Sequence, residues 1–424
     1  LLNNRITFNT INYIEVDMNN KYIVTSNKII TVSDIKTLSN GAFVVSDGII
    51  SDIGDYNDIK SKYKDLEVID FKDLVITPSL IDCHTHLFEY APSTVYPVTE
   101  ETYEIAQDTL ILNGLMSGVT AFGEQVCGSP MYEMNLNKIK EKVKTLPLDI
   151  VFSTNSITIG FENLVNLTAV TGKSSVDKET LINEEILEKI IDESEYPGEN
   201  VFINATPANL KEELVPKAGE IIYTQEELNK ISKMFHNKGK KIGCHVAGEE
   251  GIKMAIEAKI DIIHHGHGIT NELIKKAKEE NIIIVATPLG GTHLKPNSPE
   301  EIEALVKEGI IIAIATDSYL PPDINLPWLN FEDDSPRGPE VLMKISNQGM
   351  LKLKDVGLDE NEILSLITLN GAKVLGLEEK IGALKVGMKA NFIASKGIPG
   401  LEITDIKDII KVFYEGKCVI DKKR

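Results

Sequence analysis

The segment IDCHTHLFEY, residues 81–90, places His84 and His86 two apart with a threonine between them. Side chains alternate across a strand, so residues two apart share a face. On a strand the pair therefore aims two imidazoles at one point, a spacing that suits a metal ion. Alone, an HxH pair is a weak signal. It gains weight from three residues elsewhere in a chain with only eight histidines. His245 lies in KKIGCHVAG, His265 in IDIIHHGHG and Asp317 in IIIAIATDS, each near the end of a short apolar run.

Five metal-competent side chains at the ends of four apolar runs need a scaffold that gathers strand ends. From about residue 78 apolar runs alternate with helical stretches: EEGIKMAIEAK, TNELIKKAKEEN and SPEEIEALVKEG follow the runs of the second half. Thr224 with Glu227 forms a capping box, and Gly239 suits the exit of that helix. Ser298, Pro299 and Glu301 offer an N-cap, an N1 proline and a box partner. Counting VITPSLIDCHTH, GVTAFGE, LDIVFSTNS and NVFINATPA as the first four strands makes eight. Alternating strands and helices predict an α/β chain with a parallel sheet, and eight units predict a (β/α)8 TIM barrel. Such barrels build their sites at the C-terminal ends of the strands.

Residues 160–195 read as an insertion after strand 3, with a helix at NEEILEKIIDES. Residues 22–77 and the stretch beyond about 375 are strand-like instead. The expected organisation is therefore a small β-sandwich domain made from both chain ends, residues 1–77 and 376–424, interrupted by a catalytic barrel at 78–375.

Of 424 residues, 42% are hydrophobic and 25% charged, ordinary for a globular enzyme. With 44 basic against 64 acidic side chains the formal net charge is −20. That surface repels phosphate backbones and anionic lipid, so neither nucleic acid nor a membrane is an expected partner. No apolar run reaches the roughly 18–20 residues of a membrane span. The stretch LLNNRITFNTINYIEV does not read as a signal peptide. Cys83, Cys127, Cys244 and Cys418 are scattered without a CxxC pair, which favours a reducing cytoplasm.

VITPSLIDCHTHL, CHVAG, IIHHGHGI, IATDS and EILSLITLNGAKVLGLEEKIGALKVGMKANFIA together resemble the amidohydrolase superfamily over nearly the whole chain, from about residue 22 to 420. The pair IIIVATPLGGTHL and IIIAIATDSYLPP resembles its imidazolonepropionase-like branch most. The resemblance implies the barrel with a β-sandwich from both ends. It also implies one divalent metal ion, zinc by default or iron or manganese, held by His84, His86, His245 and Asp317. Such an ion lowers the pKa of a bound water to about 7. Asp317 would take that water's proton and return it to the leaving nitrogen, and His265 would polarise the substrate carbonyl or hold the water.

The sequence departs from the family in three places. Ser79 replaces the glycine before the first strand. The fourth strand, NVFINATPA, lacks the lysine that binuclear members carbamylate, which implies a single metal. Gly248 stands where deaminase-like members often carry glutamate, with Glu249 one step later.

The expected activity is hydrolysis of a C–N bond in a small cyclic amide, amidine or N-acyl compound. The alternatives are a ring deaminase, disfavoured by Gly248, a dipeptidase-like hydrolase, disfavoured by the missing lysine, and a binding protein that uses the pocket without turnover. His293, Glu124 and His267 are candidates for substrate contact. By strand parity His264 should face the helices, while Cys83 and Cys244 should point out of the barrel into the core. His236 should sit on the surface at a helix end, and the loop holding Trp328 and Arg337 is a candidate substrate loop. The glycine-poor TGKSS, 171–175, is rejected as a phosphate loop. Family members are commonly dimers or larger, so a homo-oligomer fits the resemblance.

Overall fold

The computed structural model describes residues 21–127, 135–154, 179, 182–204 and 219–423, and the backbone of 156–158 and 166–168. The stretch before residue 21 and the TGKSS segment lie outside the described residues.

The chain opens with β1 (Lys21–Ile30), β2 (Thr37–Ser46), β3 (Ile49–Asp55), β4 (Val68–Asp70) and β5 (Val75–Pro78). Asp47 and Gly48 join β2 to β3 with φ of 51° and 80°. Two positive φ values make the two-residue turn whose twist matches that of the flanking strands, and glycine adopts the second without penalty.

Among the described residues, eight parallel strands follow in two arcs. The first holds β6 (Leu80–Thr85), β7 (Val119–Val126) and β8 (Asp149–Thr154). A small antiparallel pair follows, β9 (Ser156–Thr158) just before the stretch expected as an insertion and β10 (Asn166–Thr168) within it. The second arc holds β11 (Val201–Phe202), β12 (Gly243–Ala247), β13 (Ile262–His267), β14 (Ile283–Ala286) and β15 (Ile311–Ile314). Their burial on both faces, as in β13 and β14, is the mark of parallel strands covered by helices.

The covering helices include Tyr103–Met116, Glu184–Glu193, Gln225–Asn237 and Pro299–Lys307. Thr224 and Glu227 form the capping box that their spacing predicted, and Ser298 accepts from Glu301 N. Leu110, Phe122, Leu228, Ile252, Leu273, Ile284 and Leu305 belong to one buried layer that packs these helices on the strands. Each such side chain contributes roughly 1.5–3 kcal/mol on burial. No described helix is long and apolar enough to cross a membrane.

The arcs meet at the edge between β6 and the segment after β15. There Asp317 N donates to His84 O at 3.0 Å, and His86 N donates to Ser318 O at 3.1 Å. The buried Asp82 carboxylate accepts from Thr316 N at 3.1 Å and Thr316 Oγ1 at 2.5 Å. At the other edge, where β11 is only two residues long, Asn200 donates to Ser153 Oγ at 3.0 Å and accepts from Gly243 N at 3.0 Å.

The chain closes with β16 (Phe392–Ser395), β17 (Ile409–Tyr414) and β18 (Lys417–Asp421). These join β1–β5 in one sheet of order β18-β17-β16-β5-β1-β2-β3, with β4 on β1. A small β-sandwich from both chain ends was expected; its strands share one hydrogen-bonded sheet, in which β1 pairs with β4 through Ile23–Thr25 and with β5 through Lys28 and Ile29. The chain ends meet where β5 pairs antiparallel with β16. This sheet has its own core, in which Phe392 stacks on Phe413 at 4.2 Å and meets Phe43 edge-on at 5.2 Å.

The run VITPSLIDCHTH, expected as a single strand, is divided between the two sheets. Val75–Pro78 pairs in the small sheet and Leu80–Thr85 opens the first arc. Pro78 ends β5, as a residue without an N–H suits a strand end. Ser79 fills the glycine position with its N–H on Asn391 O and its hydroxyl 2.6 Å from Thr120 Oγ1.

Candidate active site

The strand ends converge as the spacing predicted. His84 lies in β6 and His86 just beyond it; His245 lies in β12, His265 in β13, and Asp317 three residues past β15. Two of these positions have left-handed backbone, His265 at φ 68° and Asp317 at φ 52°. Aspartate and histidine enter that region more readily than most residues, yet it costs of order 1–3 kcal/mol. The strain falls near the C-terminal ends of the strands, where these side chains turn toward one another. His84, His265 and Asp317 are buried, while the His86 side chain keeps 15% exposure and marks the side open to solvent.

Asp317 Oδ1 lies 3.2 Å from both His84 Nε2 and His86 Nε2. Facing it is a residue that the strand-end rule did not find, Glu199. Its Oε1 lies 2.6 Å from His245 Nδ1 and 2.7 Å from His265 Nε2, and its Oε2 lies 3.5 Å from His84 Nε2 and 4.0 Å from His86 Nε2. The ligand atoms of His84, His86 and Asp317 fall within 4.8 Å of one another, as do those of His84, Glu199 and His265. Glu199 sits in PGENVF, just before the two-residue β11, so a search for acids that end strands passes it. The available signal is the acid that stands beside the fourth apolar run, NVFINATPA.

The electrostatics suit a cation. Burial opposes ionisation of Glu199, but His84 and His245, with hydrogen bonds from His245 and His265, hold its carboxyl well below the usual range. Burial likewise opposes Asp317, and His84 and His86 outweigh it and hold the carboxyl low. In return, Glu199 and Asp317 overcome the burial of His84 and push its pKa up to about 10. Two buried carboxylates kept ionised need positive charge between them. A divalent cation would supply it and leave the imidazoles neutral, as ligands must be. His84 Nε2 also makes no aligned hydrogen bond, as befits a nitrogen aimed at a shared point. The residues therefore fit a divalent metal.

The remaining candidates divide. His267 is buried and bound to Thr287 and Thr292. His293 is half-buried with its ring against Gly219. Glu124 is buried, and both its oxygens are taken by the end of β6 and the segment after it: Thr85 Oγ1 at 2.8 Å, Leu87 N at 2.9 Å and Phe88 N at 3.0 Å. Burial nevertheless raises its pKa to about 7. In this position it shapes the HTHLF turn.

His264 does not face the helices. Its Nδ1 lies 3.0 Å from His84 Nδ1 and its Nε2 lies 3.1 Å from Pro197 O. The left-handed backbone at His265 and a register shift opposite Val246 and Ala247 break the alternation that the parity argument assumed. Cys83 differs for the same kind of reason. A register shift between Asp82 and Thr85 places it with Ile81, Ala121, Ile262, Val285 and Ala313, drawn from strands of both arcs, whereas Cys244 packs in the helix-side layer. His236 is exposed in the last turn of its helix and pairs with Asp261 Oδ2 at 2.9 Å. Glu249 is exposed, at the start of the helix after β12. In the loop beyond β15, Trp328 lies under Lys295 Nζ at 4.6 Å, and Arg337 binds Asp333 at 2.6 Å.

The loop after β14 approaches the centre at Gly291, whose φ is 121°. A Cβ there would overlap Asp317 Oδ2 and the His265 ring. A Gly291→Ala variant is expected to fold but to lose roughly a hundredfold in turnover, the effect of about 1 Å of misplacement at a reacting centre. Steady-state kinetics beside a circular dichroism spectrum checks this, and activity within about twofold of the parent would sink it.

A family model, "Amidohydrolase family", matches residues 75–419. The chain belongs to that family, whose members are hydrolases. Among curated relatives, the imidazolonepropionase of Clostridium tetani (strain Massachusetts / E88) is 22% identical over 387 residues, 85% of each chain. The 5-methylthioadenosine/S-adenosylhomocysteine deaminase of Thermodesulfovibrio yellowstonii is 21% identical over 401 residues, covering 88% of this chain and 83% of that one. Among solved structures, a Xaa-Pro dipeptidase with bound methionine superposes with a TM-score of 0.67 at 18% identity, covering 94% of this chain and 99% of the other. The chain is thus a metal-dependent hydrolase of carbon–nitrogen bonds, resembling the imidazolonepropionases in sequence.

Proposed function

We propose that this protein hydrolyses a C–N bond in a small cyclic amide, amidine or N-acyl compound, within a closed (β/α)8 barrel, at a divalent metal centre. The observation that carries the reading is the pair of buried carboxylates, Asp317 and Glu199, set among four inward histidines. The missing lysine suggested a single ion. Glu199 supplies a carboxylate with one oxygen toward His245 and His265 and the other toward His84 and His86, which favours two ions with Glu199 between them.

When bound, the metal polarises the scissile group and acidifies the attacking water. His84, His86 and Asp317 would hold one ion and His245 and His265 the other, with Glu199 offering an oxygen to each group. Asp317 turns Oδ1 to the two histidines, so Oδ2 is the atom that accepts the proton of the attacking water and returns it to the leaving nitrogen. His265 has Nε2 on Glu199 and Nδ1 on Thr287, so it acts as a ligand rather than as the free polariser first expected. A ring deaminase is the weaker reading, because Glu249 is exposed and Gly248 brings no side chain to the centre.

Elemental analysis of the purified protein is expected to find two equivalents of zinc, iron or manganese. A chelator should abolish hydrolysis of cyclic amides and metal should restore it. No metal uptake after reconstitution would overturn the proposal and leave a binding protein, and a single equivalent would overturn the bridging role of Glu199.

A further inference from the structure

Behind His265 runs a chain of buried polar contacts that the chemistry above does not use. Thr287, just beyond β14, places its hydroxyl 2.7 Å from His265 Nδ1 and 3.1 Å from His267 Nε2. On its far side His267 Nδ1 lies 2.7 Å from Thr292 Oγ1, which also accepts from Leu294 N at 3.2 Å. Asn297 clamps the backbone of both ends, accepting from Thr287 N at 2.8 Å and donating to His265 O at 3.1 Å. His265, His267, Thr287 and Asn297 are each 0% exposed.

A hydroxyl has one proton. Thr287 can therefore donate to one of its two rings only while it accepts from the other. A ring that gives one nitrogen to a metal is neutral and carries its single proton on the other. The chain then has only two consistent senses. If His265 presents a bare Nε2 toward Glu199 and the centre, its proton is on Nδ1 and goes to Thr287. Thr287 must donate to His267 Nε2, and His267 Nδ1–H must donate to Thr292. In the other sense His265 Nε2–H donates to Glu199, and every bond in the chain is reversed.

We propose that Thr287 is a positioning residue of the metal centre: its hydroxyl couples the tautomer of His265 to that of His267, so that the loop after β14 selects the nitrogen His265 offers as a ligand. This rests on the reading of the centre as a metal site. Partners of this kind, one shell behind a ligand, commonly set affinity by roughly ten- to a hundredfold.

The test uses the full chain in three forms: the parent, Thr287→Val, which keeps the shape without the hydroxyl, and Thr287→Ser, which keeps the hydroxyl. Zinc affinity is measured by competition with a chromophoric chelator. Histidine tautomers are read from two-bond ¹H–¹⁵N spectra of histidine-labelled protein before and after zinc is added. Thr287→Val should weaken zinc binding about ten- to a hundredfold. Thr287→Ser should stay within about twofold of the parent, and the metal-free forms should have matching thermal midpoints. In the zinc-loaded parent, His265 and His267 should both carry the proton on Nδ1. Unchanged affinity in Thr287→Val would overturn the proposal. So would an equal loss in Thr287→Ser, which would assign the effect to packing, or a loaded parent with His267 protonated on Nε2. The last result needs no variant to fold. A parent that takes up no zinc would instead overturn the metal-site reading itself.

Discussion

Replacing Asp317 by asparagine should lower kcat/KM by at least about a thousandfold and leave the fold intact, the scale expected when a proton-transfer group that is also a metal ligand is removed. Asparagine has the same shape and tolerates the left-handed backbone that Asp317 adopts at φ 52°. The change therefore removes little besides the negative charge and the ability to take a proton. Both matter here. Oδ1 is the atom that His84 Nε2 and His86 Nε2 share at 3.2 Å, and a neutral amide holds a cation there less well. Nor can an amide act as a base. Kinetics, metal content and a circular dichroism spectrum decide the matter together. A folded variant with activity within tenfold of the parent would remove Asp317 from the chemistry.

The second large effect is expected at Glu199. A Glu199→Gln variant should retain no more than one equivalent of metal and lose most of its turnover. Its metal-free form should also be less stable by about 3 kcal/mol, the scale seen when one member of a buried charge pair is removed. The reason lies in the contacts: one carboxylate serves His245 and His265 with Oε1 and faces His84 and His86 with Oε2. Glutamine can accept on one side only, and its amide protons would point at nitrogens that must stay bare to bind metal. Elemental analysis and thermal unfolding in chelator are the measurements. A variant that keeps two equivalents would show that Glu199 does not join the two groups of histidines.

Both predictions draw on residues of very different legibility. His84, His86, His245, His265 and Asp317 were readable from the chain alone. Metal ligation needs rare residue types, and parallel strands present them where apolar runs stop. The helix starts at Thr224 and Ser298 were readable too, since a cap is a local contact of residues three apart.

What failed depended on local backbone irregularity. Strand parity sent His264 to the helices, and a left-handed residue and a register shift in β13 brought it beside His84. A shift in β6 likewise moved Cys83 among residues from both arcs. That β1 pairs with both β4 and β5 is also something strand content alone does not reveal.

By itself, then, the sequence determined the α/β alternation, the strand ends that meet and the metal-binding character of the side chains there, because periodicity and residue chemistry are local properties. Only the tertiary structure decided that Glu199 enters between the histidines, that Glu124 serves the turn after β6, and that Thr287 joins His265 to His267. These are contacts between distant stretches, 46 residues apart for Glu199 and His245, and no local pattern specifies them.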